Sequence, residues 1–170
     1  ADPQIVSQET MRAALEKQRA AFTAELPVSA ETRKDRLTRA GKLLVENADA
    51  LCDAMSEDFG HRSREQSMMT DLTSALGEIK YARKHLDAWM KPERRKTRFP
   101  LGLFGAKARI EYQPKGVIGI IAPWNFPVQL TFSPLADVLA AGNRAMIKMS
   151  EYTPVTSALV ERLIAETFAP

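Results

Sequence analysis

The 170-residue sequence predicts an α/β fold, with N-terminal helices followed by the opening βαβα of a Rossmann-like sheet. Three observations predict it. Up to about residue 90, apolar residues recur at three- and four-residue spacings among charged ones, the period of surface helices. Gly116 to Ala122 is an unbroken apolar run of valine, isoleucine and glycine, the pattern of a parallel strand buried on both faces. A second short apolar stretch, Ala145 to Lys148, returns one helix-length later, as a crossover connection requires.

The first helix runs from Ser7 to Leu26, with Met11, Leu15, Phe22 and Leu26 inward and Pro27 ending it. The second starts near Ser29 and turns Leu37, Ala40, Leu43 and Leu44 inward. Asn47 is the expected N-cap of the third, where Leu51, Met55 and Phe59 share a face and Gly60 supplies the stop. The fourth opens at Ser63 in a capping box with Gln66 and carries Met69, Leu72, Leu76, Ile79, Leu86 and Trp89 before Pro92.

Lys91 to Arg98 is basic and aperiodic and reads as a connector, continued by the turn-rich stretch Pro100 to Gly105. Ala106 to Gln113 alternates, with Ala108, Ile110 and Tyr112 opposite Lys107, Arg109 and Glu111, so it suits a strand with one wet face. After the strand at Gly116, helix is expected from Phe126 to Ala141, interrupted by Pro134, and then Gly142-Asn143 leads into the second strand. Thr153 and Pro154 fit N-cap and N1 of a last helix with Val155, Leu159, Leu163 and Ile164 inward. Two buried-type parallel strands make too small a sheet, so partner strands are expected beyond Pro170. The division that follows is a helical N-terminal part (1–95), a connector and strand (96–113), and the first part of a cofactor-binding sheet (114–170).

Composition narrows the function classes. Apolar content of 45% and charged content of 26% are those of a globular chain, and 24 basic against 21 acidic residues, net +3, are interspersed and do not form a polycation. Nucleic acid is therefore not an expected partner. A single cysteine, Cys52, can form neither an internal disulfide nor a multi-cysteine metal site, and inside a helix it reads as a small buried hydrophobe. Ala1-Asp2-Pro3-Gln4 lacks the order of a secretory leader and no apolar run reaches membrane-spanning length, so a cytoplasmic protein without a membrane or metal partner is expected. The seven methionines read as core filling, and His61 and His85 as ordinary helix or turn residues.

The chemistry-bearing residues cluster after the two strands. Pro123-Trp124-Asn125-Phe126-Pro127 lies at the carboxyl end of the first strand, where open α/β sheets bind ligands. The indole offers a wall and the carboxamide a directed N–H donor; alternatively Asn125 caps the next helix with Trp124 packed beneath it. Lys148-Met149-Ser150-Glu151 follows the second strand, where dinucleotide folds place a side chain against the adenosine ribose. The other reading of Lys148 and Glu151 is a surface ion pair. No Gly-x-Gly-x-x-Gly follows a strand and no P-loop occurs.

Pro114-Lys-Gly116-Val117, Ile121-Ala-Pro123-Trp124-Asn125-Phe126-Pro127, Ala141-Gly142-Asn143, Ile147-Lys148-x-Ser150-Glu151 and Thr153-Pro154, in this order and at these separations, resemble the aldehyde dehydrogenase superfamily. Within it, Met149 and the short leader are similar to the coniferyl-aldehyde and fatty-aldehyde branch. The resemblance implies the N-terminal part of an enzyme that oxidises an aldehyde to a carboxylic acid with NAD, NADP being possible, through a cysteine thiohemiacetal. It implies Asn125 as the oxyanion donor, Lys148, Ser150 and Glu151 at the adenosine ribose, and Ile121, Ala122, Pro123 and Trp124 lining the cofactor cleft. The family's nucleophilic cysteine, its general-base glutamate and its catalytic domain fall beyond Pro170, so the chain alone is expected to be inactive. A homo-oligomer, dimer or tetramer, is implied for the whole enzyme. The rival reading is a non-catalytic assembly module that pairs through the Ala106 to Gln113 strand as an exposed edge.

Overall fold

The computed structural model describes residues 6–168; the stretch Ala1 to Gln4 and the end at Pro170 lie outside the described residues. Its elements are α1 (Gln8–Glu25), α2 (Ala30–Glu46), α3 (Ala48–Asp58), α4 (Arg64–Gln66), a π-helical segment (Ser67–Thr73), α5 (Ser74–Trp89), β1 (Glu93–Arg95), a 3-10 turn (Leu101–Phe104), β2 (Ala108–Ile110), β3 (Val117–Ile121), α6 (Gln129–Ala140), β4 (Arg144–Lys148) and α7 (Pro154–Thr167). β3 and β4 pair in parallel, Val117 opposite Arg144 through Ile121 opposite Lys148, and β1 and β2 form a separate antiparallel pair.

One core joins α2, α3, α5, α6 and α7 to the inner face of β3 and β4. Leu37, Leu44, Leu51, Met55, Leu72, Leu86, Val128 and Phe132 are almost wholly withdrawn from solvent there. Burying side chains of this size stabilises by roughly 1.5–3 kcal/mol each before entropy is counted. Cys52 is buried among them, and burial pushes its thiol above the ordinary cysteine value against the opposing field of Arg64.

Ser7, Ser29 and Ser63 each accept a hydrogen bond from the backbone N–H three residues on, as N-caps do. Other expectations fail for identifiable reasons. Asn47 stands at the N-cap position of α3 as expected, but its side-chain amide turns back to the Leu43 carbonyl and caps no N–H there. The box at Ser63 is half made: its hydroxyl accepts the Gln66 N–H at 3.2 Å, but the Gln66 side chain does not reach back to the Ser63 N–H, and the hydroxyl donates to Glu65. Pro134 sits inside a continuous α6, which begins at Gln129 because Phe126 precedes Pro127 and is pushed away from helical geometry.

Burial corrects the faces. β3 is not buried on both sides: Ile118 and Ile120 face the core, while Gly119 is exposed and Ile121 is 83% exposed on the other side. α1 has no buried residue, and Met11 and Leu26 are exposed, because it packs mainly on the short β3 and β4 strands. Polar ties compensate, Arg36 gripping Glu25 at 2.5 and 2.6 Å and Arg144 reaching Gln18 at 3.1 Å. Met69 lies outward on the π-helical segment and Trp89 is exposed, so neither these nor Met11 fill core space. The basic connector contains a strand, β1, whose charged residues carry no alternating pattern and depend on β2 for their ladder.

Gly142 and Asn143 set the turn between α6 and β4. Gly142 has φ +80, its N–H reaches Leu139 and that of Asn143 reaches Val138, which closes α6 in a Schellman motif. The buried Asn143 carboxamide then accepts from Lys115 at 2.6 Å and Gly116 at 2.9 Å, aligning the start of β3 with β4.

Candidate functional site

The two sequence-predicted loops lie side by side because the β3 and β4 ladder is in register to its end, where Ile121 faces Lys148. The Ala122 N–H continues it, donating to the Lys148 carbonyl at 3.0 Å. Ala122 is buried, whereas Ile121, Pro123, Trp124 and Asn125 are exposed. This edge is the carboxyl end of a parallel pair, where strand carbonyls end and helix N-termini begin.

Asn125 does not cap α6. The N–H groups of Val128 and Gln129 are accepted instead by Asp71 Oδ1, each at 3.1 Å, from the π-helical segment. Trp124 is half-exposed and tilts against Phe59, ring centroids 6.1 Å apart. The capping alternative is thereby excluded. Among the described residues the Asn125 carboxamide makes no hydrogen bond, while its backbone carbonyl accepts from Arg62 Nη1 at 2.9 Å.

Arg62 and Asp71 were not among the residues expected from the sequence. Their side chains are 5% and 0% exposed and meet at 2.6 Å. The guanidinium lies 4.7 Å from the Phe59 ring centroid and 5.4 Å from that of Phe126. Burial pushes the Asp71 carboxyl above the usual aspartate range, opposed by the N–H groups of Gln129 and Val128 and by the Arg62 charge. One sequence signal existed: Asp71 heads the inward stripe Asp71, Ala75, Ile79, Ala82, Leu86, where an acid has to find a buried partner.

Lys148 and Glu151 form an ion pair at 2.5 Å with both side chains more than half exposed. Hydrogen bonding from Lys148 holds the Glu151 carboxyl below the usual glutamate range, helped by its own backbone N–H. Ser150 is buried; its hydroxyl accepts from the Tyr152 N–H and its carbonyl from Ser157, so it shapes the loop from beneath. The pair thus presents an ammonium and a carboxylate together beside exposed Ile121, a donor and an acceptor next to an apolar surface.

Thr153 leaves α7 uncapped by its own side chain. Pro154 takes the first position as expected, and Asp58 at the end of α3 accepts from Val155 at 2.9 Å and Thr156 at 2.8 Å. Both helices that start at this edge, α6 and α7, are therefore capped by aspartates from the helical region.

Comparison with known proteins agrees along the whole chain. The model described as "Aldehyde dehydrogenase family" matches residues 1–170. A protein of Caulobacter vibrioides named "Probable coniferyl aldehyde dehydrogenase" is 52% identical over 159 residues, covering 93% of this chain and 33% of its own length. The substrate-bound structure of Staphylococcus aureus AldH superposes with a TM-score of 0.86 at 34% identity, over 93% of this chain and 34% of that one. An indole-3-acetaldehyde dehydrogenase mutant of P. syringae, in complex with NAD+ and IAA, does so with a TM-score of 0.79 at 25% identity, over 94% and 31%. The chain spans about a third of the length of the relatives it matches. Among the described residues, no helix is long and apolar enough to cross a membrane.

Proposed function

The chain belongs to the aldehyde dehydrogenase family, and from that premise we propose that it contributes the oxyanion donor and the adenosine-ribose contacts to an enzyme oxidising an aldehyde to a carboxylic acid with NAD(P). The observation that carries this reading is Asn125, held by its carbonyl at 2.9 Å from Arg62 with its exposed carboxamide making no hydrogen bond among the described residues. An unspent donor on an anchored backbone suits a developing oxyanion, because little of the loop then has to reorganise as charge appears.

The residues at the strand ends fit the cofactor. Lys148 donates and Glu151 accepts, as a vicinal diol requires, and exposed Ile121 offers an apolar platform beside them. Glu151 also repels a 2′-phosphate, which favours NAD over NADP. The bound nicotinamide would supply the hydride acceptor. Ala122, Pro123 and Trp124 line the same edge, and Ser150 supports it. The thiohemiacetal would form on a cysteine of the longer enzyme, since Cys52 is buried in α3.

An aromatic aldehyde of the coniferyl type is the substrate class proposed first, supported by the name of the relative at 52% identity. The same reading takes the β1 and β2 pair, with Tyr112 65% exposed beside it, as a contact between copies in a homo-oligomer. It also takes the cytoplasm as the compartment, supported by the lone free Cys52. In the enzyme that extends this chain, Asn125→Ala is expected to lower kcat roughly 100-fold or more with little change in KM for NAD. Unchanged turnover would overturn the reading. The 170-residue chain alone is expected to make no NADH from an aldehyde.

A further inference from the structure

The Arg62 and Asp71 pair has no part in binding cofactor or aldehyde as described above, yet it is the most enclosed ion pair among the described residues, with side chains 5% and 0% exposed. A buried ion pair is weak evidence for stability, since desolvation offsets much of its attraction. Apart from the neighbouring Thr70 hydroxyl, 3.3 Å from Arg62 Nη2, its hydrogen bonds run to one place. Arg62 Nη1 holds the Asn125 carbonyl at 2.9 Å while Nη2 holds Asp71 at 2.6 Å. The guanidinium lies between Phe59 and Phe126, and Phe59 in turn touches Trp124, so the residues on both sides of Asn125 rest on the same stack. Asp71 Oδ1 fixes the far end of the loop through the Val128 and Gln129 N–H groups.

We infer that Arg62 and Asp71 are positioning residues for Asn125, setting the direction of its carboxamide through the backbone of the Trp124 to Gln129 loop. The inference rests on the oxyanion reading of Asn125. The π-helical segment supports it. Such segments rotate a helix face locally and recur at functional positions. Here one brings Asp71 to the start of α6, and it leaves the buried Ser67 hydroxyl without a partner. A lysine cannot replace Arg62, because one ammonium lacks the planar fork that reaches carbonyl and carboxylate together while stacking between two rings.

The test is a double-mutant cycle in the full-length enzyme that carries this segment, with Arg62→Lys, Asn125→Ala and the double variant, each checked for native circular dichroism. Arg62→Lys is expected to lower kcat tenfold or more, on the order of what a small misplacement costs, with KM for NAD unchanged. In the Asn125→Ala background it should cost nothing further. Equal losses in both backgrounds, or no loss from Arg62→Lys, would overturn the positioning role while leaving the oxyanion reading intact. An unaffected Asn125→Ala enzyme would overturn both. Should Arg62→Lys fail to fold, Phe126→Leu removes one face of the sandwich, keeps the ion pair, and runs through the same cycle with the same outcomes.

Discussion

Asp58 Oδ2 accepts the Thr156 N–H at 2.8 Å, so the first turn of α7 is capped by a carboxylate from the end of α3. Its other oxygen takes the Val155 N–H at 2.9 Å. A negative charge at a helix N-terminus also meets the favourable end of the helix dipole. Asp58→Ala is therefore expected to destabilise the chain by about 1–2 kcal/mol, with Asp58→Asn recovering part of the loss. Urea unfolding followed by far-UV circular dichroism measures both. A midpoint for the alanine variant equal to wild type would show that the cap contributes nothing.

This contact also marks where the sequence stops being informative. Ser63 was readable as a cap, and Ser7 and Ser29 as helix starts, because the hydroxyl and the N–H it accepts from are three residues apart. Asp58 and Asp71 do the same work across 98 and 58 residues; nothing local distinguishes Asp58 from other helical acids, and the inward stripe that Asp71 heads signals its burial but not its partners. β1 was invisible for a related reason: three charged residues acquire strand geometry only from Ala108 to Ile110 opposite them. The Pro123 to Pro127 loop was legible because its strand pattern is local. Arg62 was not, because what makes it matter is the Asn125 carbonyl 63 residues away.

Gly142 is the position where backbone and packing agree most sharply. Its φ of +80 strains any residue with a side chain, and an added Cβ would lie 2.6 Å from the Arg33 guanidinium carbon. Arg33 has little room to retreat, being buried and bonded to the Val28 and Ala140 carbonyls at 3.2 and 3.1 Å. Gly142→Ala is expected to cost about 1–3 kcal/mol from backbone strain alone, with the clash adding to it. Thermal unfolding reads the loss, and Arg33→Lys in the same background should restore part of it if the clash contributes. An unchanged melting temperature for Gly142→Ala would refute both terms.

Cys52 is 3% exposed inside α3, and burial raises its thiol above the ordinary value. The reactive species is the thiolate, so low exposure and a raised titration act in the same direction. Iodoacetamide at pH 8 is expected to leave the native chain unmodified over a period in which the urea-unfolded chain reacts fully, with mass spectrometry as the readout. Prompt alkylation of the native chain would mean that α3 opens readily.

Glu151 gives the pH prediction, and its sign follows from the direction of the shift. Hydrogen bonding from Lys148 holds its carboxyl below the usual range in the folded chain. A depressed acid binds fewer protons folded than unfolded, so the stability it contributes is present above the unfolded value of roughly 4.3 and is lost as pH falls through the folded one. Solvent screens the pair, since both side chains are more than half exposed, and its effect on overall stability should be small. The site itself should show it clearly. In a carbon-detected titration the Glu151 carboxyl is expected to have its midpoint below those of exposed glutamates, and Lys148→Met should move it back toward theirs, the Glu151 backbone N–H keeping part of the shift. The same variant then separates two roles of Lys148: if Lys148 bonds the ribose itself, an enzyme with Lys148→Met keeps its preference for NAD over NADP and loses affinity for both, whereas if the ion pair only orients Glu151 the preference itself weakens. A Glu151 midpoint that does not move on removal of Lys148 would mean that the two side chains act independently at the ribose.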